Sequence, residues 1–430
     1  MNKIVTLIIL LLVFVNVFSQ KNTIKNNTKT SEFLENKQVL QNIFNRISLK
    51  SYGVVNYYNF DWQTDKERRS AVDIERLNMY IKYKVSEKIE VKTEIEFEHG
   101  GTGSTMEFDK FEEFGEFESD IEAGGEVLLE QLYIDFKIKS WFNVRAGRME
   151  MYIGNFPKLD EPVDYFTGYR SSMESALLPN GWSEIGIQVH GDLGKQKKWS
   201  YKAYLVNGLA SSDFSSANWI ARGYQKRFEM ANSESFGGLI RLDYKFKNKG
   251  WLGFSSYFGE SNRNRPKPDM KGISGHVFIG DLHTSINIKK FLKIRAMVLY
   301  GHLQNALLIA EANRNLSNNL NVKRTPVASD VLGAYAEIGF DVLALTKIEK
   351  MKLIVFGRYD FYDSMFTVPE GMFKNPRWKR NQITFGLNYL PHPSIVIKAH
   401  YAHRILGLSR DNIEKTFLLG IAYTFKTKNY

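Results

Sequence analysis

The sequence predicts an all-β chain, a transmembrane antiparallel up-and-down β-barrel of sixteen strands. Three observations carry that expectation. Stretches of about ten residues alternate apolar and polar side chains, the rhythm of a strand whose neighbours point to opposite faces. The connections between them alternate strictly between short turns and long loops. The chain opens on an apolar leader, and no later run is long enough for a membrane-spanning helix, which needs about 20 residues.

The leader comes first. "MNKIVTLIILLLVFVNVFSQ" has Lys3 ahead of an apolar run from Ile4 to Phe18, the layout of a secretory signal with cleavage near Ser19 and Gln20. The alternative is an uncleaved N-terminal anchor. Residues 20–46 begin as a polar linker and then space Phe33, Leu40, Ile43, Phe44 and Ile47 at a rough helical period, so they read as a periplasmic tether or short helix. The barrel is expected over 47–425, with 426–430 as a periplasmic tail.

Strands are expected near 47–59, 72–85, 88–99, 126–138, 142–151, 184–192, 198–207 and 236–247. The second half continues near 250–259, 275–288, 291–302, 331–343, 350–363, 380–390, 394–404 and 416–425. In "IEVKTEIEFEH", Ile89, Val91, Thr93, Ile95 and Phe97 share one face, and Glu90, Lys92, Glu94, Glu96 and Glu98 the other. In "FLKIRAMVLYG", Leu292, Ile294, Ala296, Val298 and Tyr300 oppose Lys293 and Arg295. In "KTFLLGIAYTFKTKNY" the apolar and aromatic face is Phe417, Leu419, Ile421, Tyr423 and Phe425, and small residues fill the other. A soluble sandwich would need a second core for such outward faces, whereas lipid accepts them directly.

Short turns such as "SEK", "KSW", "GKQKK", "KNKG", "KKF" and "PHPS" alternate with long segments near 60–71, 101–125, 152–183, 208–235, 261–274, 303–330, 364–379 and 405–415. One rim of tight turns, one rim of long loops and an even strand count are the pattern of an outer-membrane barrel. Closure is required, because an open sheet edge in hydrocarbon leaves backbone groups unpaired. Both chain ends then fall on the periplasmic, short-turn side of a Gram-negative outer membrane. The partners expected are membrane lipid, lipopolysaccharide and small anionic or neutral solutes, with no nucleic acid.

Composition agrees. Hydrophobic residues make up only 43% of the chain, yet it carries 30 Phe and 22 Tyr, which suits an apolar surface spread thinly over many strands. With no cysteine there is neither a disulfide framework nor thiol chemistry. The formal charge of +11 directs attention to the inferred lumenal face. That face offers Arg76, Lys82, Lys84, Arg145, Lys202, Arg241, Lys293, Arg295, Arg358, Lys398 and Arg404. Fixed cations in a narrow pore attract anions. Acids face the same way (Glu90, Glu94, Glu96, Asp135, Asp243, Glu337, Asp341 and Asp360), so mutual neutralisation in a merely polar lumen is the competing reading.

The stretch "FNVRAGRMEMYIGNFPKLDEPVDYFTGYRSSMESALLPNGWSEIGIQVHGDL" resembles the phosphate-selective porin O and P family of outer-membrane channels. The shared features are a strand ending in Gly147-Arg148, an aromatic and Pro-bearing loop, and a following strand with Glu184, Gly186 and Gln188. The resemblance implies a trimeric sixteen-strand channel with basic lumenal residues, whose third outer loop, here 152–183, folds inward as the constriction. The pore-lining residues expected are Arg76, Lys82, Arg145, Arg148, Lys158, Arg241, Lys293, Arg295, Arg358 and Lys398. Arg148 breaks the strict alternation and needs a bulge or the loop junction to face inward. The loop carries Lys158 and Arg170 against Asp160, Glu161, Asp164 and Glu174.

Other motifs carry less. The acidic, Phe-bearing run "MEFDKFEEFGEFESDIEAGGE" reads as a solvated outer loop, the alternatives being cation bridges to lipopolysaccharide or attraction of a cationic solute. "ALLIAEA", at 306–312, could form a short helix in the mouth. His400 and His403 fall on opposite strand faces and share no metal; no cofactor is expected. No Ser/His constellation marks a barrel hydrolase, and residues 20–46 are too few for a transporter plug. The expected function is therefore passive diffusion of small solutes, favouring anions such as phosphate. The alternative is a structural or secretion-associated barrel with a plugged pore.

Overall fold

The computed structural model describes residues 44–101, 126–225, 230–247, 249–316, 324–348, 350–427 and 430, together with the backbone of 107–113 and 116–120. The leader and most of the tether lie outside the described residues; Phe44–Arg46 is helical.

The first half contributes β1 (Ile47–Trp62), β2 (Ala71–Ser86), β3 (Ile89–Glu98), β6 (Val127–Lys139), β7 (Phe142–Glu150), β8 (Ser183–Leu193) and β9 (Trp199–Asn207). The second contributes β10 (Phe236–Phe246), β11 (Gly250–Glu260), β12 (His276–Ile288), β13 (Leu292–Leu303), β14 (Asp330–Asp341), β15 (Lys352–Thr367), β16 (Lys379–His392), β17 (Ile395–Leu406) and β18 (Ile413–Lys426). These sixteen form one closed antiparallel barrel, each strand pairing with its chain neighbours. β18 returns to β1 in a register running from Lys50 opposite Lys426 to Trp62 opposite Glu414, so no edge is left open.

Alternation decides the two faces. On β18, Phe417, Leu419, Ile421, Tyr423 and Phe425 are exposed, while Leu418 and Ala422 are buried against the interior. The outward face continues through Ile383, Phe385 and Leu387 on β16, Val355 and Tyr359 on β15, and Ile185 and Ile187 on β8. Exposed aromatics gather at both rims: Trp141, Trp199, Tyr389 and Tyr423 near the short turns, and Phe258, Phe278 and Tyr300 near the long loops. An apolar band between aromatic girdles is the surface a lipid bilayer requires.

All sixteen expected strands form. β15 extends to Thr367 and β18 begins at Ile413, so these two rise further above the membrane than their patterning suggests. One connection on the short-turn side is longer than a tight turn: 342–351 includes a 3-10 turn at Leu343–Leu345. The acidic outer loop carries secondary structure of its own. Its backbone forms a separate hairpin, β4 (Glu107–Glu113) with β5 (Glu116–Asp120), where frequent Phe residues favour strand over coil. Two short helices lie on the long-loop side, α1 (Ser172–Leu177) and α2 (Ala306–Arg314); α2 covers the apolar run read as a helix in the mouth.

Candidate pore constriction

The connection from β7 to β8 folds into the barrel. Of its residues, Ile153, Asn155, Phe166, Thr167, Met173 and Leu177 are all at most 3% exposed. It is seated first by apolar contacts: Met173 and Leu177 fill the space left by Gly333 on β14, and Phe166 fills that left by Gly339. Phe166 also stacks on Phe356 of β15, with ring centroids 5.5 Å apart. Small residues on the lumenal face of β14 are what allow these side chains to approach.

Polar anchors surround these contacts. Asn155 donates through Nδ2 to the carbonyls of Thr284 and Ala296 and to the Tyr335 hydroxyl, at 2.9–3.2 Å. Lys398 on β17 donates to the carbonyls of Tyr165 and Thr167 at 2.8 and 2.7 Å. Arg295 on β13 donates to the Asp164 carbonyl and pairs with Glu337 at 2.5 Å. Arg358 on β15 donates to the Thr167 hydroxyl at 3.2 Å and pairs with Asp360 at 3.0 Å. Arg241 on β10 donates to the Gly154 carbonyl at 2.6 Å and forks onto Asp243, which also pairs with Lys158 at 2.9 Å.

On the opposite wall, Asp160 collects four donors. Tyr52 and Tyr80 donate their hydroxyls at 2.6 and 2.7 Å, Arg170 donates at 2.9 Å, and Arg76 reaches it at 3.4 Å. Burial alone would raise this carboxyl, but the two guanidinium groups and two hydroxyls hold it well below the usual carboxylate range. Glu161 beside it pairs with Lys50 at 3.0 Å. Glu174 has the reverse balance. It accepts the backbone N–H groups of Asn155 and Phe156 at 3.0 and 3.1 Å, yet burial outweighs them and pushes its carboxyl up to about 7. Burial and the nearby Arg241 lower the Lys158 ammonium to about 8, against the pull of Asp243.

The expected pore residues thus divide in two. Arg76, Arg241, Arg295, Arg358 and Lys398 reach inward and hold the segment, and Lys158 belongs to it. The rest sit on the wall. Arg145 pairs with Asp135 at 2.9 Å, and Lys82 lies over the Tyr430 ring at 3.8 Å. Arg148 is turned inward where Gly147 takes a φ of 131°, and it donates to the Gln225 carbonyl at 2.8 Å. Among the described residues, Lys82, Lys293 and Lys202 have no carboxylate within ion-pair distance. Sequence reasoning missed the anchoring roles of Tyr52, Tyr80, Asn155, Asp160 and Glu174. The signal that could have found part of the seat is Gly333 and Gly339, both on the lumenal phase of β14, facing a loop rich in bulky residues.

No family model matches the sequence. An uncharacterized protein of Aquifex aeolicus (strain VF5) is 28% identical over 375 residues, covering 85% of this chain and 77% of that one. Among solved structures, Pseudomonas putida OprB at high pH superposes with a TM-score of 0.53 at 9% identity, over 91% of this chain and 97% of the other. The anion-selective porin from Comamonas acidovorans gives 0.52 at 12% identity, over 88% and 99%. Salmonella typhi OmpF, in complex with daunomycin, gives 0.52 at 11%, over 88% and 97%. The chain has the general porin fold. Its closed barrel and lipid-facing belt make it an outer-membrane protein of a Gram-negative bacterium.

Proposed function

We propose that this chain is an outer-membrane channel for passive diffusion of small solutes, exported by residues 1–19 and working without a catalytic step. The observation that supports this most strongly is the inward segment. It folds into the barrel, takes polar anchors from β1, β2, β10, β13, β17 and β18, and packs its apolar side chains in one cluster with Tyr133 of β6 and Tyr204 and Val206 of β9.

Anion preference, including preference for phosphate, is the finer part of the reading. The resemblance to the phosphate-selective family supports it, as do Lys82, Lys202 and Lys293, which have no carboxylate within ion-pair distance among the described residues. Arg145, Arg241, Arg295 and Arg358 pair with the wall carboxylates Asp135, Asp243, Glu337 and Asp360, and Arg76 with Asp160 of the segment, so any preference rests on cations without such a partner. Assembly as a homotrimer follows from the same resemblance and is read out by cross-linking in native membranes.

Planar-bilayer recording tests the proposal. The purified protein should give stable unit steps, and under a KCl gradient its reversal potential should lie on the chloride side. That bias should fade toward 1 M salt, where the Debye length is about 3 Å. Unit steps with a potassium-side potential would remove the anion preference and leave the channel; no steps from folded protein would remove both.

A further inference from the structure

The lumenal face of β1 carries a line of rings where the strand nears the long-loop rim. Tyr58, Phe60 and Trp62 stand opposite Leu418, Thr416 and Glu414 of β18, which are buried within the barrel, so all three point inward. The outward phase at the same height holds Asn59 and Asp61, opposite Phe417 and Lys415. That is the reverse of an interfacial girdle, in which the rings belong on the lipid side. Tyr58 and Phe60 stack with planes 5° apart and centroids 5.7 Å apart, and Trp62 turns edge-on to Phe60 at 77° and 5.4 Å. The indole is fixed by its Nε1–H, which donates to the Thr416 hydroxyl at 3.0 Å. At the foot of the line, Asn56 donates to the Tyr58 hydroxyl at 3.1 Å and to the Gly168 carbonyl of the inward segment at 3.4 Å. The rings therefore lead from the rim down to that segment, and all three stay half-buried rather than enclosed.

Phe60 and Trp62 make a corner, and a planar group already lies in it. Arg68, exposed on the connection 63–70, places its guanidinium carbon 4.6 Å from the Phe60 centroid and 4.2 Å from that of Trp62. Among the described residues this guanidinium has no hydrogen-bond acceptor and no carboxylate within ion-pair distance. Arg404, 5.1 Å from the same indole, is taken up by Glu414 at 2.6 Å, and Glu414 also accepts the Thr64 hydroxyl at 2.5 Å. The corner thus presents two unmet features side by side. A free guanidinium is a planar fork that matches a carboxylate bidentately. Flat aromatic faces accept a planar ring by stacking.

We propose that the Phe60–Trp62 corner is a binding site at the outer mouth for aromatic carboxylates, small acids of benzoate size. The ring of the solute takes the place on Phe60 and Trp62 that the Arg68 guanidinium holds, and Arg68 swings off the rings to fork onto the carboxylate. Tyr58 continues the stacking surface toward the inward segment. A sugar would use the ring faces and leave the fork without an oxyanion; an inorganic anion would use the fork and leave the rings bare. The inference rests on the diffusion reading for transport of such acids, whereas binding at the corner is measurable without any current.

The experiment is calorimetric titration of the full folded barrel in detergent with benzoate, benzamide, acetate and glucose. Benzamide keeps the ring and shape of benzoate without its charge, and acetate keeps the carboxylate without the ring. Wild type should bind benzoate at least tenfold more tightly than each of the other three. Phe60→Ala should weaken benzoate at least tenfold. Arg68→Gln, a change at an exposed loop position, should weaken benzoate at least fivefold without weakening benzamide. Heat-modified gel mobility verifies that each variant is folded. Equal affinity for benzoate and acetate, or benzoate binding untouched by both substitutions, would overturn the site. Glucose bound more tightly than benzoate would overturn the solute class. In planar bilayers, benzoate on the outer side should reduce the KCl current of the wild type at concentrations that leave Arg68→Gln unaffected. Benzoate binding with both expected losses, but no current from any folded barrel, would uphold the site and overturn the diffusion reading instead.

Discussion

Asp160 and Glu174 hold the same segment and respond oppositely to pH. Asp160 is a carboxylate depressed by Arg76 and Arg170, so its contribution is present above its unfolded value and lost as pH falls. Glu174 is raised to about 7 by burial, so its contribution is fully present below the unfolded value, near 4.3, and is lost as pH rises through about 7. Ionising it in place costs up to roughly 3 kcal/mol, a substantial part of what holds a loop. Open-channel noise and conductance should therefore rise between about pH 4.5 and about pH 7 in the wild type and stay flat in Glu174→Gln; superimposable pH profiles would count against this role. Asp160→Asn removes the charge shared by two buried guanidinium groups. Loss of one partner from a buried pair costs about 3–5 kcal/mol, so this variant should loosen the segment at every pH and raise conductance. None of this was legible in the sequence. The partners of Asp160 stand 84 and 108 residues away at Arg76 and Tyr52, and spacing along the chain says nothing about pairs brought together by closure.

At the scale of the element, β14 and the inward segment fit as a small face against a bulky one. A Cβ at Gly339 would meet the Phe166 ring at 2.2 Å, and that ring cannot retreat because it is stacked on Phe356 with the Arg295 guanidinium 4.5 Å away. Gly339→Val should displace the loop from the wall while leaving the β14 ladder intact, since the glycine has no unusual backbone angle to protect. The check is proteolysis within 159–171, expected to speed up in the variant, with heat-modified gel mobility unchanged. Protection equal to wild type would mean that the contact does not hold the loop. The strands themselves were legible because period-two alternation is a local property. Helix α1 was not, since six residues carry too little pattern, and its N-cap, where Ser171 accepts the Glu174 N–H at 3.3 Å, matters only once the segment is inside the barrel. The ten-residue connection 342–351 passed unnoticed because its apolar residues continue the strand rhythm.

At the scale of the whole molecule, closure and the lipid belt are the stabilising facts. Every barrel strand has two neighbours, so the unboiled protein should run on a gel as a compact species distinct from the boiled one. Ile421 is 52% exposed in the middle of the outward face of β18. Ile421→Arg should cost about 2–4 kcal/mol at mid-membrane depth, seen as a lower unfolding midpoint in a reversible bilayer assay. An unchanged midpoint would place that face away from lipid. Barrel, strand number and membrane setting could be read from the sequence because lipid allows so few architectures; the use of the lumenal cations could not, because a basic residue lining water and one gripping a carbonyl are identical in sequence. The measurement that bears most directly on the account is unit conductance of the wild type beside a chain lacking residues 159–171, both verified as folded by heat-modified mobility. A diffusion channel narrowed by this segment predicts discrete steps from the wild type and steps several-fold larger from the deletion. Equal steps would place the constriction elsewhere, and silence from both folded barrels would contradict the channel itself.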